Sequence, residues 1–514
     1  MEKWLITATP PTTNGDLHVG HLSGPYLAGD VFARRRRALG DDVLYCSGGD
    51  DSQTYVVTTA GRLGTTPAAL AAESNAQIRA TLAAAGVTMD AYTAPDAAYA
   101  REVQAFFARL YAAGKLRRRR QAFAYDEAEG RFLFEAYVQG YCPECYAATC
   151  GAICEGCGHP NDGASLLDAR RGGGGGGGPV ARREAETLAL PLEDYRAAIE
   201  AFYARAGAGM RPHVLRFVDQ MLERPLPDFP VSYPSDWGVP VAIDGFEGQV
   251  YNPWAEMYPA LGHMARAAAR ARGAGDDPWA EGGRRLVQFL GFDNTFYFSL
   301  AHLALALAAP GAPRPDAIVT NEFYYLDGQK FSTSRRHLIW ARELVDKYGA
   351  DNVRFFLARQ APETQVANFV EGAFRQAVRA ELHEPLRRLG ARLGDGRAAP
   401  RALDEGAHRR FERFARRAER AYALETFSPR EAAEAAANLL AYLADVADAD
   451  ADAPAAELGL SYFCAHAHPL VPALAERLWA ALGHAGEPRP DSARRLGALP
   501  ARGRLEVGPL LRQW

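Results

Sequence analysis

Two Cys-x-x-Cys pairs, Cys142/Cys145 and Cys154/Cys157, stand eight residues apart in the stretch YCPECYAATCGAICEGCG. Nothing else in the chain constrains the backbone so tightly. Each pair closes a short turn, and four thiols in two such pairs suit a tetrahedral structural zinc ion. Of the chain's 7 cysteines, five fall between Cys142 and Cys157. That crowding, with an odd total, fits a reducing compartment and a metal site better than a disulfide framework. Cys150, between the pairs, reads as a bystander, and Cys46 and Cys464 as ordinary buried residues. The expected role of the metal is to stiffen a segment with little core of its own.

The segments around this cluster set the organisation. Trp4–Ala8 (WLITA) reads as a short buried strand, followed by the turn PPTTNG and a helix from about Asp16 through Arg37. DDVLYCSGG is strand-like to about Gly49, and Ala-rich helical segments follow, the alternation of a parallel α/β sheet. Near Leu116 the character changes to β ribbon. The run RRGGGGGGGPVARRE then carries seven consecutive glycines, whose ordering entropy predicts an exposed flexible loop. Helical pattern resumes near Leu192. Strands are expected to return at Trp237–Ile243, Arg285–Gly291 and before Asn321, and from about Phe369 onward the spacing is helical. The expected division is residues 1–114 (first half of the core), 115–216 (insert with the cysteine cluster), 217–368 (second half) and 369–514 (helical bundle).

With a net charge of −4, any nucleic-acid surface must be a local patch. Arg34–Arg37 and Arg117–Arg120 are candidates for phosphate contact, as are the arginines from Arg387 to Arg417, although solvated helix faces explain such runs as well. No basic stretch leads into a long apolar core at the start of the chain, and the apolar run from Phe296 is too short to cross a bilayer. A cytoplasmic protein with no membrane partner, and a monomer, is expected.

Chemistry gathers in two short stretches. In NGDLHVGHL, His18 and His21 are three apart and share one face of a first helical turn. Gly20 leaves room for a flat ring on the backbone, and a helix N-terminus offers free N–H groups to an anion. In GQKFSTSRRH, Lys330 is a point charge suited to phosphate oxygens, with hydroxyls at Ser332, Thr333 and Ser334. Either stretch alone reads as easily as solvated surface.

Together, HxGH near the N-terminus and KxSxS far downstream in an α/β frame resemble the two signatures of class I aminoacyl-tRNA synthetases. TATPPTTNGDLHVGH, GDDSQTY, DWGVPV, VYNPWAE and GFDN follow in the order of the methionyl type. The resemblance implies a split Rossmann-type α/β core, a zinc-knuckle insert that the cysteines match, and an anticodon-binding-like helical bundle. It implies that an amino acid is activated with ATP, with Mg²⁺ accompanying it, and passed as an adenylate to a tRNA 3′ end. His18, His21 and Lys330 would act on the phosphates. Asn14, Gly20, His21, Gly291, Asp293, Lys330 and Ser332 would bind ATP, Asp293 through the ribose. Asp51 would hold the substrate's α-ammonium, and Thr12, Trp254, Leu261, Asn294 and Phe298 would line the side-chain pocket.

Several of these positions depart from the family pattern. Thr333 replaces the second lysine of the phosphate loop, which removes a positive charge and implies slower activation. Thr12 and Leu261 replace tyrosines, Asn294 an aliphatic residue and Phe298 a histidine, while Glu256 replaces an aspartate. A buried Asn294 is costly without a partner, so the substrate is expected to be methionine or an amino acid that differs from it in polarity or shape. In the bundle, Arg388 and Arg392 occupy the anticodon-reading places, of which only the arginine at 392 agrees. The stretch DADADAPAAELG is acidic and lacks the family's stacking tryptophan, which argues against normal anticodon reading. Two alternatives follow: a paralogue that delivers another aminoacyl group to a small molecule or carrier, and an inactive ATP- or RNA-binding protein.

Overall fold

The computed structural model describes residues 1–173, 180–207, 210–275, 278–279, 283–331, 337–403, 406–448 and 453–511. Most of the polyglycine tract, and Ser332, Thr333 and Ser334, lie outside the described residues.

Five parallel strands form the central sheet, in the order Ala317–Asn321, Arg285–Gly291, Lys3–Ala8, Asp42–Gly48, Ala91–Thr93. Lys3–Ala8 pairs on one side with Asp42–Gly48 and on the other with Arg285–Gly291, Trp4 opposite Arg285. Both faces are covered, which is why these strands are apolar runs rather than alternating ones. Strand order reverses between Lys3–Ala8 and Arg285–Gly291. The crevice beyond the carboxyl ends of those two strands is where a doubly wound sheet takes its ligands.

The first helix begins at Val19, not Asp16, because His18 caps it in extended conformation. Its run is interrupted at Leu22–Tyr26 by a π-type turn containing Pro25, which has no N–H to give, before regular helix continues over Leu27–Ala38. Trp237–Ile243 is not a strand, contrary to the sequence reading. Gly238 takes φ +133° and Pro240 lacks an N–H, so only one bridge, Pro240 to Val250, forms. Ser232–Pro234 and Gln249–Tyr251 pair instead.

In the insert, Arg117–Asp126 pairs antiparallel with Ala181–Pro191. Arg117 to Arg120 therefore stand on a strand, each against an acid: Asp194, Glu186, Asp228 and Glu184. The run Arg34 to Arg37 is similarly committed, to Asp30, Glu419, Glu2 with Asp41, and Asp90. The Arg34–Arg37 pairs are largely buried, whereas those of Arg117–Arg120 stand open to water.

One apolar cluster runs from Ile6 and Phe289 beneath the sheet, through Phe356 and Phe374, to Leu440 and Trp479 among the C-terminal helices. A buried arginine ties the same two regions. Arg354, on the helix Ala350–Arg359, gives Nη2 to Asp30 at 2.7 Å and to the carbonyl of Pro469 at 2.7 Å. It also reaches the carbonyls of Leu470, Ala85 and Gly86. No helix among the described residues is long and apolar enough to cross a membrane.

Candidate functional site

At the switch point of the sheet lies a cleft of about 380 Å³. The chain supplies its walls from the ends of three strands: Thr9–Thr12 with Asn14, Gly291–Asn294, and Asn321–Tyr324. His18, Gly20 and His21 line it from the first helical turn, and Lys330 with Phe331 from the other side.

The two histidines form a reciprocal cap. The N–H of His21 donates to Nδ1 of His18 at 3.3 Å, and the N–H of His18 to Nδ1 of His21 at 3.4 Å. With Nδ1 accepting, the ring proton of each sits on Nε2. The rings stack at 3.7 Å, and His18 stacks on Phe331 at 4.6 Å. A Cβ on Gly20 would come 3.0 Å from the His18 ring and 3.1 Å from Phe331, so glycine is what lets this stack close. Desolvation in the cleft lowers His21 to about 4 and holds His18 well below its usual value, where the neighbouring His21 adds to the effect. Both are neutral donors at pH 7.

Asp293 lies at the end of Arg285–Gly291. Burial, and then the charge of Glu155, push its carboxyl up to about 6, with Lys330 opposing. Asn294 donates to Asp293 at 2.9 Å, so its amide has an acidic partner inside the protein. A Cβ on Gly291 would lie 2.6 Å from Asp293 Oδ1. Lys330 gives its ammonium to Glu155 at 2.6 Å and sits over the Phe323 ring at 4.2 Å.

Trp254 lines the cleft, stacked on Tyr297 at 4.1 Å, and donates Nε1 to Glu135 at 3.1 Å. Three expected pocket residues are placed elsewhere. Leu261 shares a face with Trp254, but seven residues on it has moved about 10 Å along the helix, and it packs under the sheet with Leu5, Leu44 and Leu286. Phe298 lies in a π-type turn that brings Tyr297 to Trp254 and leaves Phe298 against His302 at 4.6 Å. Asp51 does not line the cleft. Its Oδ1 accepts from Thr13 at 2.8 Å and Asn75 at 2.9 Å, while the neighbouring Asp50 faces the cleft.

Sequence reasoning missed Asp50, Gln53, Glu135 and Glu155, all of which line the cleft. Glu135 carried no signal. It arrives by a backbone kink at φ +45° in the insert, where it accepts from Thr54 at 2.9 Å. Glu155 was hidden inside the second Cys-x-x-Cys pair. Cys150 also lines the cleft.

The four cysteine sulfurs lie within 4.8 Å of one another, Cys142 to Cys157 at 3.8 Å and Cys145 to Cys154 at 3.5 Å. Zinc bonded tetrahedrally to four thiolates needs sulfurs about 3.8 Å apart, so these residues fit the ion. The two turns close alike: the N–H of Tyr146 bonds to the Cys142 carbonyl and that of Gly158 to the Cys154 carbonyl. Both closing residues are left-handed, at φ +61° and +76°. Only Tyr146 bears the steric cost, about 1–2 kcal/mol. Chelation of the ion by a strong thiol-competitive reagent is expected to lower the melting temperature and deprotect residues 142–171 in hydrogen exchange. Unchanged exchange there would refute a metal-dependent fold.

The family model for tRNA synthetases class I (M) matches residues 4–393. The methionine–tRNA ligase of Dehalococcoides mccartyi (strain CBDB1) is 31% identical over 389 residues, 74% of this chain and 69% of that protein. The methionine–tRNA ligase of Thermomicrobium roseum is 31% identical over 422 residues, 79% of this chain and 71% of that protein. In fold, the chain matches Mycobacterium tuberculosis methionyl-tRNA synthetase solved with methionyl-adenylate, at a TM-score of 0.77 and 20% identity, covering 100% of both chains.

Proposed function

Because the chain belongs to the class I tRNA synthetases of the methionyl type, we propose that its cleft activates an amino acid with ATP and passes the acyl group to the 3′ end of a tRNA. The observation that carries this reading is the convergence of His18, His21, Asp293 and Lys330 on one crevice at the switch point of the sheet.

The substrate carboxylate attacks the α-phosphorus. The P–O bond to the β-phosphate breaks, and pyrophosphate leaves. Neutral His18 and His21 donate from Nε2 to phosphate oxygens as charge builds on them, without giving up a proton. Lys330 follows the departing pyrophosphate as a point charge. Asp293 accepts from the ribose, and Gly20 and Gly291 allow base and sugar to approach the backbone. Asp50 receives the α-ammonium, with Asp51 behind it. A tRNA hydroxyl then attacks the adenylate carbonyl, and AMP is released. Mg²⁺ accompanying ATP would supply positive charge to its phosphates. Cys142, Cys145, Cys154 and Cys157 would hold a zinc ion whose contribution would be rigidity.

Recognition of tRNA rests on the acceptor end. Arg388 is engaged with Asp445 at 2.8 Å, which sets an acid against an anticodon-reading place. ATP–pyrophosphate exchange over a panel of amino acids, followed by charging of total tRNA, tests the reading. Lys330→Ala is expected to slow exchange by about 10²-fold, the scale of one lost transition-state contact. Exchange unaffected by that change would remove Lys330 from the reaction.

A further inference from the structure

Asp50 and Glu135 line the cleft, and Asp51 and Glu256 lie just behind them. The charges of Glu256, Glu135 and Asp51 all act on Asp50, and no Lys, Arg or His is among the groups acting most on any of the four. Asp50 is 4% exposed, Glu256 1% and Gln53 1%.

Glu256, Asp50 and Gln53 are short of partners, whereas both oxygens of Glu135 accept from Thr54 and Trp254. Glu256 Oε1 accepts from Ser52 at 2.8 Å and Tyr99 at 2.9 Å, but its Oε2 has no hydrogen bond among the described residues. Asp50 Oδ2 has none either. The Gln53 amide lies close enough to Asp50 to favour its charged form, but neither of its atoms makes a well-formed hydrogen bond among the described residues. A buried polar atom left this way is costly, and a native site keeps such atoms where a ligand meets them. Gln53, Asp50 and Glu135 face the cleft directly.

One α-ammonium, brought by any amino acid, neutralises one carboxylate. Glu256, Glu135 and the whole amide of Gln53 remain. A thioether offers no donor to any of them. A chain of methylenes ending in a cation meets both halves of the site: its stem lies on Trp254 and Met257, its head among the acids. Burial raises Glu135 to about 7, and burial with the charges of Asp51 and Glu135 raises Glu256 to about 8, as in a site waiting for positive charge.

Resting on the ligase reading above, we infer that the amino acid taken by this site bears a second cationic donor, an amine or guanidine, at the end of its side chain, received by Gln53 and Glu135 with the Glu256 carboxyl behind them.

ATP–pyrophosphate exchange with methionine, norleucine, lysine, ornithine, arginine and the remaining standard amino acids tests the inference. A basic amino acid is expected to exceed methionine in kcat/KM by at least ~10³-fold, because a site built to hydrogen-bond rejects an analogue that lacks the donor. Gln53→Leu, checked for folding by its melting temperature, is expected to lower kcat/KM for the basic substrate by about tenfold or more, and to narrow its margin over methionine. Preference for methionine, or for any neutral or acidic amino acid, overturns the inference and leaves the ligase reading standing. Exchange with no amino acid at all overturns the ligase reading, and the inference falls with it.

Discussion

Arg354→Ala is expected to lower the free energy of unfolding by about 3–5 kcal/mol, the scale for removing one partner of a buried pair. Arg354 and Asp30 both have fully buried side chains. Burial by itself would push the Asp30 carboxyl up, but Arg354, Arg34 and the hydrogen bonds from Thr88 overcome it and hold Asp30 below the usual range. Alanine leaves that carboxylate charged, with Arg34 at 2.8 Å and Thr88 as its remaining partners. It also strips donors from the carbonyls of Ala85, Gly86, Pro469 and Leu470. Those carbonyls belong to segments far apart in sequence, so the loss falls on the junction between sheet and C-terminal helices. Urea unfolding checks the expectation through a shift of midpoint at constant slope. A loss below about 1 kcal/mol would place the pair among contacts that merely break even against desolvation.

Glu256→Gln is expected to stabilise the protein above neutral pH. Burial first, then the charges of Asp51 and Glu135, raise this carboxyl from 4.5 to about 8, against the opposing bonds from Ser52 and Tyr99. The folded state keeps the proton where the unfolded chain has released it. Wild-type stability should therefore be full below about pH 4.5 and fall as pH rises toward 8. Glutamine holds the neutral shape at every pH and keeps an oxygen for Ser52 and Tyr99. At pH 8 the variant should be the more stable by on the order of 2–4 kcal/mol, and near pH 4.5 the two should be close to equal. Parallel stability curves from pH 4.5 to 8 would show that Glu256 is ionised in the folded protein throughout.

Where local physics dominates, the sequence was readable. Arg285–Gly291 is a strand over the residues whose apolar run announced it. The cysteine pairs lie together as their spacing requires, and His18 and His21 share one turn. Long-range placement was not readable. Trp237–Ile243 has strand composition, but Pro240 and Gly238 spoil its ladder. The arginine runs looked like anion sites because their acids, Asp194 and Asp228 among them, come from distant segments. Leu261 and Phe298 kept their places in the alignment of motifs but not in the cleft, because a helix advance and a π-type turn decide which side chain arrives. Glu135 enters through a single left-handed residue, which no periodicity foretells.

The ion pair between Lys330 and Glu155 has a consequence in magnitudes. Glu155 is carried between two cysteines of the metal-binding turn, so its position is set by that turn rather than by the phosphate loop. Lys330 is 35% exposed and Glu155 56%. A pair so open to water holds by no more than about 1 kcal/mol. A triphosphate, with several negative oxygens and a divalent ion beside it, outbids a lone carboxylate at that strength. On the proposed function, Glu155 would serve as a berth for the lysine, near enough to keep the ammonium over the cleft mouth and weak enough to yield it to a nucleotide.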